Sequence, residues 1–90
     1  MKFEWDDQKS NSNKEKHGID FDTAKNLWFD EKRVEIQIAF HSEERWVLIA
    51  AFEGKMWMAV YTMRNDVIRL ISVRRARTRE VRLYEDEASG

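Results

Sequence analysis

The chain has no cysteine and no proline, and glycine occurs only at positions 18, 54 and 90. Without cysteine there is no disulfide framework, no thiolate metal site and no thiol nucleophile. With so little proline and glycine, no flexible or polyproline-type linker divides the 90 residues, and we expect a single domain spanning 1–90. A chain of this length hides roughly 60–70% of its unfolded surface, enough for one modest core. Long apolar runs are also missing. The opening MKFEWDDQKS has no apolar signal region, and no later run approaches the ~20 residues of a membrane helix. These absences predict a soluble cytoplasmic protein with no membrane association. No Gly-rich phosphate loop, nucleophile elbow or cluster of metal-ligand residues is visible, so neither a metal nor another cofactor is expected.

What is present is an uneven distribution of charge. The net charge is −1. Residues 1–60 carry nine Lys or Arg against twelve Asp or Glu, whereas residues 61–82 carry seven Arg against Asp66 and Glu80 alone. Five of those arginines fall within RRARTREVR, residues 74–82. A local basic patch binds phosphates whatever the net charge, and arginine's planar fork suits bidentate phosphate contacts.

The periodicity predicts an α+β fold. KFEW (2–5) alternates as a strand. Residues 7–17 contain no apolar side chain, yet Gly18 and the basic Lys16 and His17 suit a helix C-terminus. IDFDTAKNLWFD (19–30) predicts a helix capped by Asp20, with Phe21, Ala24, Leu27 and Trp28 on one face. RVEIQIAF (33–40) switches to a period of two, with Val34, Ile36, Ile38 and Phe40 forming a half-buried face. RWVLIAAF (45–52), KMWMAVYTM (55–63) and VIRLISVR (67–74) follow as strands, separated by the turn signals EG and RND. A last helix starts near Thr78, with Val81, Tyr84 and Ala88 as its inward stripe. Short turns imply antiparallel neighbours, so the expected architecture is an antiparallel meander sheet with two N-terminal helices and a C-terminal helix packed on it. The four tryptophans fit the core by pattern.

For chemistry, Arg64 and Arg74 stand at strand ends as leading phosphate-binding candidates. The turn at 64–66 puts them at opposite ends of a hairpin. Arg75 can approach either a bound phosphate or the N-terminus of the last helix, and Arg69, mid-strand, is either a ligand contact or half of an ion pair. His17 fits a helix cap or a proton-transfer group. His41 fits a solvated turn. Glu80 suits the positive end of a helix or the orientation of an arginine, and Tyr84 fits the core stripe of the last helix.

Several segments together carry a resemblance. KHGIDF at 16–21 with Ala24, EER at 43–45, YTMRNDVIRLISVRRA at 61–76 and EVRLYE at 80–85 resemble the BrnT family of toxins from bacterial type II toxin–antitoxin modules. The resemblance runs from Trp5 to about Glu85. It implies a RelE-like fold and a metal-independent endoribonuclease that inhibits translation and growth. It also implies neutralisation by a BrnA-like ribbon-helix-helix antitoxin, with DNA contacted only through that complex. Its expected catalytic residues are Arg64, Arg74, His17, Glu80 and Tyr84, with Arg69, Arg75 and Arg79 as RNA contacts. The chain departs from the family pattern at Ala50 and Ala51, where glycine is usual, and at Arg77, where a capping threonine is usual. Those departures motivate an alternative, a non-catalytic RelE-like module that docks a partner protein through its Arg-rich face.

Overall fold

A computed structural model describes residues 1–89, and all of their side chains except those of Phe40, Ala88 and Ser89. The order of elements is β1 (Lys2–Glu4), α1 (Asp7–His17), α2 (Phe21–Ala24), a 3₁₀ helix (Lys25–Phe29), β2 (Val34–Phe40), β3 (Glu43–Phe52), β4 (Lys55–Arg64), β5 (Val67–Arg75) and α3 (Thr78–Ser89). Five strands form one sheet in the order β1-β5-β4-β3-β2. The turns Glu53–Gly54 and Asn65–Asp66 have positive φ at both residues, the type I′ geometry whose twist matches that of paired strands.

The sheet is mixed, which corrects the expected antiparallel meander. β2 to β5 are antiparallel neighbours, but β1 runs parallel to β5, with Phe3 opposite Ile68 and Glu4 opposite Arg69. Short turns constrain only β2 to β5. The connection from β1 to β5 spans most of the chain, so pairing partners decide its direction. Phe3 meets Trp28 edge-on at 5.0 Å, and Arg69 Nη1 donates to Glu4 Oε2 at 2.6 Å.

The helices also differ from the expected arrangement. Asp20 caps as expected, accepting from the Thr23 amide at 2.7 Å, but the α-helix lasts one turn before tightening into the 3₁₀ segment. A 3₁₀ helix rises faster per residue. It carries Asp30 to β3, where the carboxylate accepts from the Ala51 amide at 2.8 Å and the Tyr84 hydroxyl at 2.7 Å. α3 packs mainly over β2 and β3 at the sheet's margin. Its expected buried stripe is therefore only half covered: Val81 and Tyr84 are half-buried, and the Ala88 side chain lies outside the described residues. On β2 the shared face is more open than expected, because this strand is a sheet edge. Ile36 and Ile38 are 36% and 37% exposed, and the Phe40 side chain lies outside the described residues.

The core fills the face under α1, α2 and the 3₁₀ helix. Phe21, Leu27, Leu48 and Val73 are essentially inaccessible. Each apolar side chain of that size contributes about 1.5–3 kcal/mol when fully buried. Trp28 and Trp57 are buried, and Trp5 and Trp46 half-buried. One irregularity shapes the functional end. Tyr61 pairs with Leu70 but Val60 pairs with Ser72, leaving Ile71 as an extra residue in β5. This bulge shifts the alternation, so Leu70 and Val73 both join the core face.

α1 has no apolar side chain to bury. It is held by two small polar ones. Ser10 Oγ accepts from the Phe21 amide at 2.9 Å. The Asn13 amide donates to the carbonyls of Ile19 and Val73, each at 2.8 Å, and its oxygen accepts from the Val73 amide at 3.1 Å. Beyond Arg69, β5 has no β1 residue beside it, and Asn13 supplies Val73 with the peptide-like partner a strand would give. Replacing Asn13 by alanine strands buried backbone groups, with an expected loss of roughly 2–4 kcal/mol. Asn13→Asp keeps an acceptor but loses both donors and should cost at least as much. Urea unfolding followed by tryptophan fluorescence tests both, and an Asp variant as stable as wild type would refute this role.

Candidate active site

The C-terminus of α1 and the adjoining ends of β4 and β5 enclose an open cleft. Asp6 caps the start of α1 through the amides of Gln8 and Lys9, and Gly18 ends it in the left-handed conformation at φ 80°. His17 is thereby the last helical residue. Lys14 Nζ donates to the Gly18 carbonyl at 3.4 Å, which keeps a cation at the negative end of the helix. Across the cleft, Arg75 pairs in register with Trp57, and its guanidinium lies 5.5 Å from the centre of that ring. A cation held over an indole face is favourably placed and restricted in motion. Backbone pairing continues one residue further, with the Ala76 amide donating to the Met56 carbonyl at 2.9 Å.

The cleft, about 280 Å³, is lined by Lys14, His17, Lys55, Trp57, Arg75 and Glu53, among others. Three permanent cations and an imidazole thus share one opening with a single carboxylate. Such a concentration of positive charge suits an anionic ligand, and the imidazole beside it is a candidate for proton transfer. The Trp57 indole N–H is buried with no partner among the described residues. Of the expected site residues, His17 and Arg75 are brought together here. Lys14, Lys55 and Trp57 were not anticipated. Lys14 lies one helical turn before His17, a signal that was available; Lys55 and Trp57 required the hairpin register.

Arg74 faces the other side of the sheet and is already engaged. Its Nη1 and Nη2 donate to Glu80 Oε1 and Oε2 at 2.9 and 2.7 Å, a bidentate fork, and Nη1 also donates to the Arg75 carbonyl at 3.0 Å. Glu80 Oε1 additionally accepts from the Arg77 amide at 2.8 Å. That bond is the half of a capping box that uses a backbone N–H, so it survives with arginine at 77 in place of threonine. Partial burial pushes the Glu80 carboxyl up, but Arg74, with further help from the Arg77 amide, outweighs this and holds it below its ordinary value.

The remaining candidates are dispersed. Arg64 is exposed at the far end of β4, six residues along the strand from the partner of Arg74, or about 20 Å. It lines a separate hollow with Glu43, Glu44 and Trp46. Arg69 is the ion-pair partner of Glu4. Arg79 is exposed on the first turn of α3, and His41 is exposed at the β2–β3 turn. Tyr84 donates to Asp30, and burial together with that carboxylate pushes its hydroxyl up to about 12. Among the described residues, no group of three or more His, Asp or Glu could hold a metal ion. Nor, among the described residues, is any helix long and apolar enough to cross a membrane.

Residues 5–80 match the family model described as the ribonuclease toxin, BrnT, of type II toxin–antitoxin systems. The chain belongs to the BrnT family. A search of curated proteins finds no match. The family match covers the cleft and ends at Glu80, so it takes in the Arg74–Glu80 fork as well.

Because Glu80 holds its charge more firmly in the fold than in the unfolded chain, its link to Arg74 adds stability above the ordinary value of 4.5. That contribution is lost as pH falls from there through the lowered folded value. Unfolding free energy measured against pH should decline on the acid side, and Glu80→Gln should flatten that decline while lowering stability at pH 7. An unchanged acid limb in the variant would show that the fork carries no such linkage.

Proposed function

We propose that this BrnT-family protein is the toxin of a type II toxin–antitoxin pair and an endoribonuclease whose cleavage of RNA inhibits translation and growth. The observation that carries the reading is the cleft uniting His17, Arg75 and Lys55 beside Trp57. His17 takes the proton of a ribose 2′-OH. The 2′ oxygen then bonds to phosphorus, and the bond to the 5′ oxygen breaks as that oxygen takes a proton from solvent, the open cleft leaving it accessible. Arg75 and Lys55 stabilise the charge that develops on the phosphorane oxygens, usually the largest contribution to such catalysis. Lys14 adds to the field that holds the phosphate. Arg74 and Glu80 fix the junction from which Arg75 projects, and Tyr84 anchors α3 through Asp30. Arg64, Arg69 and Arg79 lie outside the cleft and serve the flanking RNA, Arg69 only when released from Glu4.

The α+β sheet with flanking helices accords with a RelE-like scaffold working in the cytoplasm. The partner is a BrnA-like ribbon-helix-helix antitoxin, and DNA is reached only through it. The alternative, a partner-docking module without catalysis, has some support because Arg69 and Arg74 already satisfy internal carboxylates.

Purified protein should convert RNA to fragments ending in 2′,3′-cyclic phosphate, with EDTA leaving the rate unchanged. His17→Ala should slow single-turnover cleavage by about 10²–10⁴-fold. Arg75→Ala should slow it by a similar factor, whereas Arg64→Ala should weaken RNA binding with little effect on the cleavage step. Intact RNA with folded wild-type protein, together with partner binding, would establish the docking module instead. Cleavage undiminished in His17→Ala would remove the imidazole from the mechanism.

A further inference from the structure

Next to the cationic cleft lies a second hollow of different character. Its volume is about 360 Å³, and it is lined by Asn26, Phe29, Asp30, Ala51, Phe52 and Glu53. Phe52 and Glu53 line both openings, so the two are continuous across the end of β3 and its turn. The cleft gathers Lys14, Lys55 and Arg75, whereas none of the residues lining the hollow is cationic. Two phenyl rings and a set of acceptor oxygens suit a flat, uncharged group that carries N–H donors. Phe29 is the one exposed aromatic among the described side chains, 81% accessible. Its backbone is nevertheless pinned. The Asp30 amide donates to the Leu27 carbonyl at 3.3 Å, and the Asp30 carboxylate accepts from the Lys32 and Ala51 amides and the Tyr84 hydroxyl. A ring held out into water by a fixed backbone gains burial when a flat ligand stacks on it. Asp30 is occupied by those bonds. Glu53, exposed in the β3–β4 turn, has no partner among the described residues. The Asn26 amide nitrogen is used by the Thr23 carbonyl at 2.9 Å, which leaves its oxygen as an acceptor.

We propose that this hollow is the subsite for the nucleobase beside the scissile phosphate, and that it prefers guanine. The proposal rests on the reading of the adjoining cleft as the RNA-cleavage site. A base attached to a phosphate held in the cleft is delivered to the hollow by its own backbone, which makes RNA the occupant rather than a protein side chain. The base stacks on Phe29, with Phe52 as the second apolar wall. The Glu53 carboxylate offers two acceptor oxygens and no donor. Guanine presents two N–H donors side by side, from N1 and the 2-amino group, and meets both oxygens. Adenine and cytosine place one donor beside a ring-nitrogen acceptor, and uracil sets its one donor between two carbonyls, so each brings a repulsion against the carboxylate. The charge of Glu53 also keeps phosphates among the cations and out of the base subsite. This accounts for a carboxylate at the mouth of a site otherwise built to hold an anion.

Calorimetric titration of the full chain with nucleoside 3′,5′-bisphosphates reads the subsite without any cleavage, and these probes carry a phosphate on either side of the base. The guanosine form should bind at least about tenfold more tightly than the uridine form. Phe29→Ala should weaken all four nucleotides about five- to a hundredfold, while ribose 3,5-bisphosphate, which lacks a base, binds as before. Glu53→Gln replaces one acceptor by a donor and should bring the guanosine-to-uridine ratio close to one. Both side chains are exposed, so the variants should keep the wild-type circular dichroism spectrum. Equal binding of all four nucleotides, or affinities unchanged in Phe29→Ala, would overturn the proposal. So would a Phe29→Ala variant that loses affinity for an antitoxin but for no nucleotide. Guanosine preference in a chain that leaves RNA intact would uphold the subsite and remove the cleavage. RNA cut without regard to base or to Phe29 would uphold the cleavage and remove the subsite.

Discussion

The arrangement of this protein depends on the side-chain amide of Asn13. It offers Val73 one donor and one acceptor, as a neighbouring strand would, at the stretch of β5 that β1 is too short to reach. A third hydrogen bond fixes the carbonyl of Ile19, where the chain leaves α1 for α2. One buried polar group therefore completes the sheet edge, docks a helix that has no apolar face and sets the exit angle toward the core helices. Leaving buried backbone groups unpaired is costly, so the position of α1 is tightly constrained. His17 inherits its place from that constraint, one helical turn beyond Asn13.

The charge of the C-terminal third takes on a different meaning once its partners are known. Arg69 reaches Glu4, far away in sequence, and Arg74 closes a fork with Glu80. Two of the seven arginines in residues 61–82 are thus paired within the fold and work to join β1 to β5 and β5 to α3. Arg75 is distinguished by its environment: an indole face beneath it, and Lys14, Lys55 and His17 around the same opening. The concentration of arginine in the sequence is a composite of structural pairing and one local cationic cleft.

What was legible in the sequence was chiefly local. Gly18, the Asp20 cap and the two tight turns follow from backbone preferences of one or two residues, and they stand where the pattern puts them. The element order and the α+β class follow from the same signals. The parallel placement of β1 was not legible, because a contact between Phe3 and Trp28 leaves no periodicity behind. The docking face of α1 was hidden for a related reason: Ser10 and Asn13 are spaced for one helical face, but hydrophobic patterning assigns them no weight. In the site, the opposed positions of Arg64 and Arg74 could be inferred from a hairpin. The meeting of His17 with Arg75 and Lys55 depended on long-range packing.

Adjacent residues of a strand face opposite ways, so only one member of the Arg74–Arg75 pair can enter the cleft. The register selects Arg75, because Ile71 is an extra residue in β5. That residue acts on side-chain facing as an inserted letter acts on a reading frame. Were the ladder regular from Leu70 onward, with Ile71 paired like its neighbours, the residue opposite Trp57 would be Arg74, and Arg75 would emerge on the far side of the sheet. Which of two identical neighbours meets the substrate is thus settled by a single backbone irregularity about 13 Å upstream. Regular pairing of the same residues at that point would exchange their roles while leaving every arginine in the sequence.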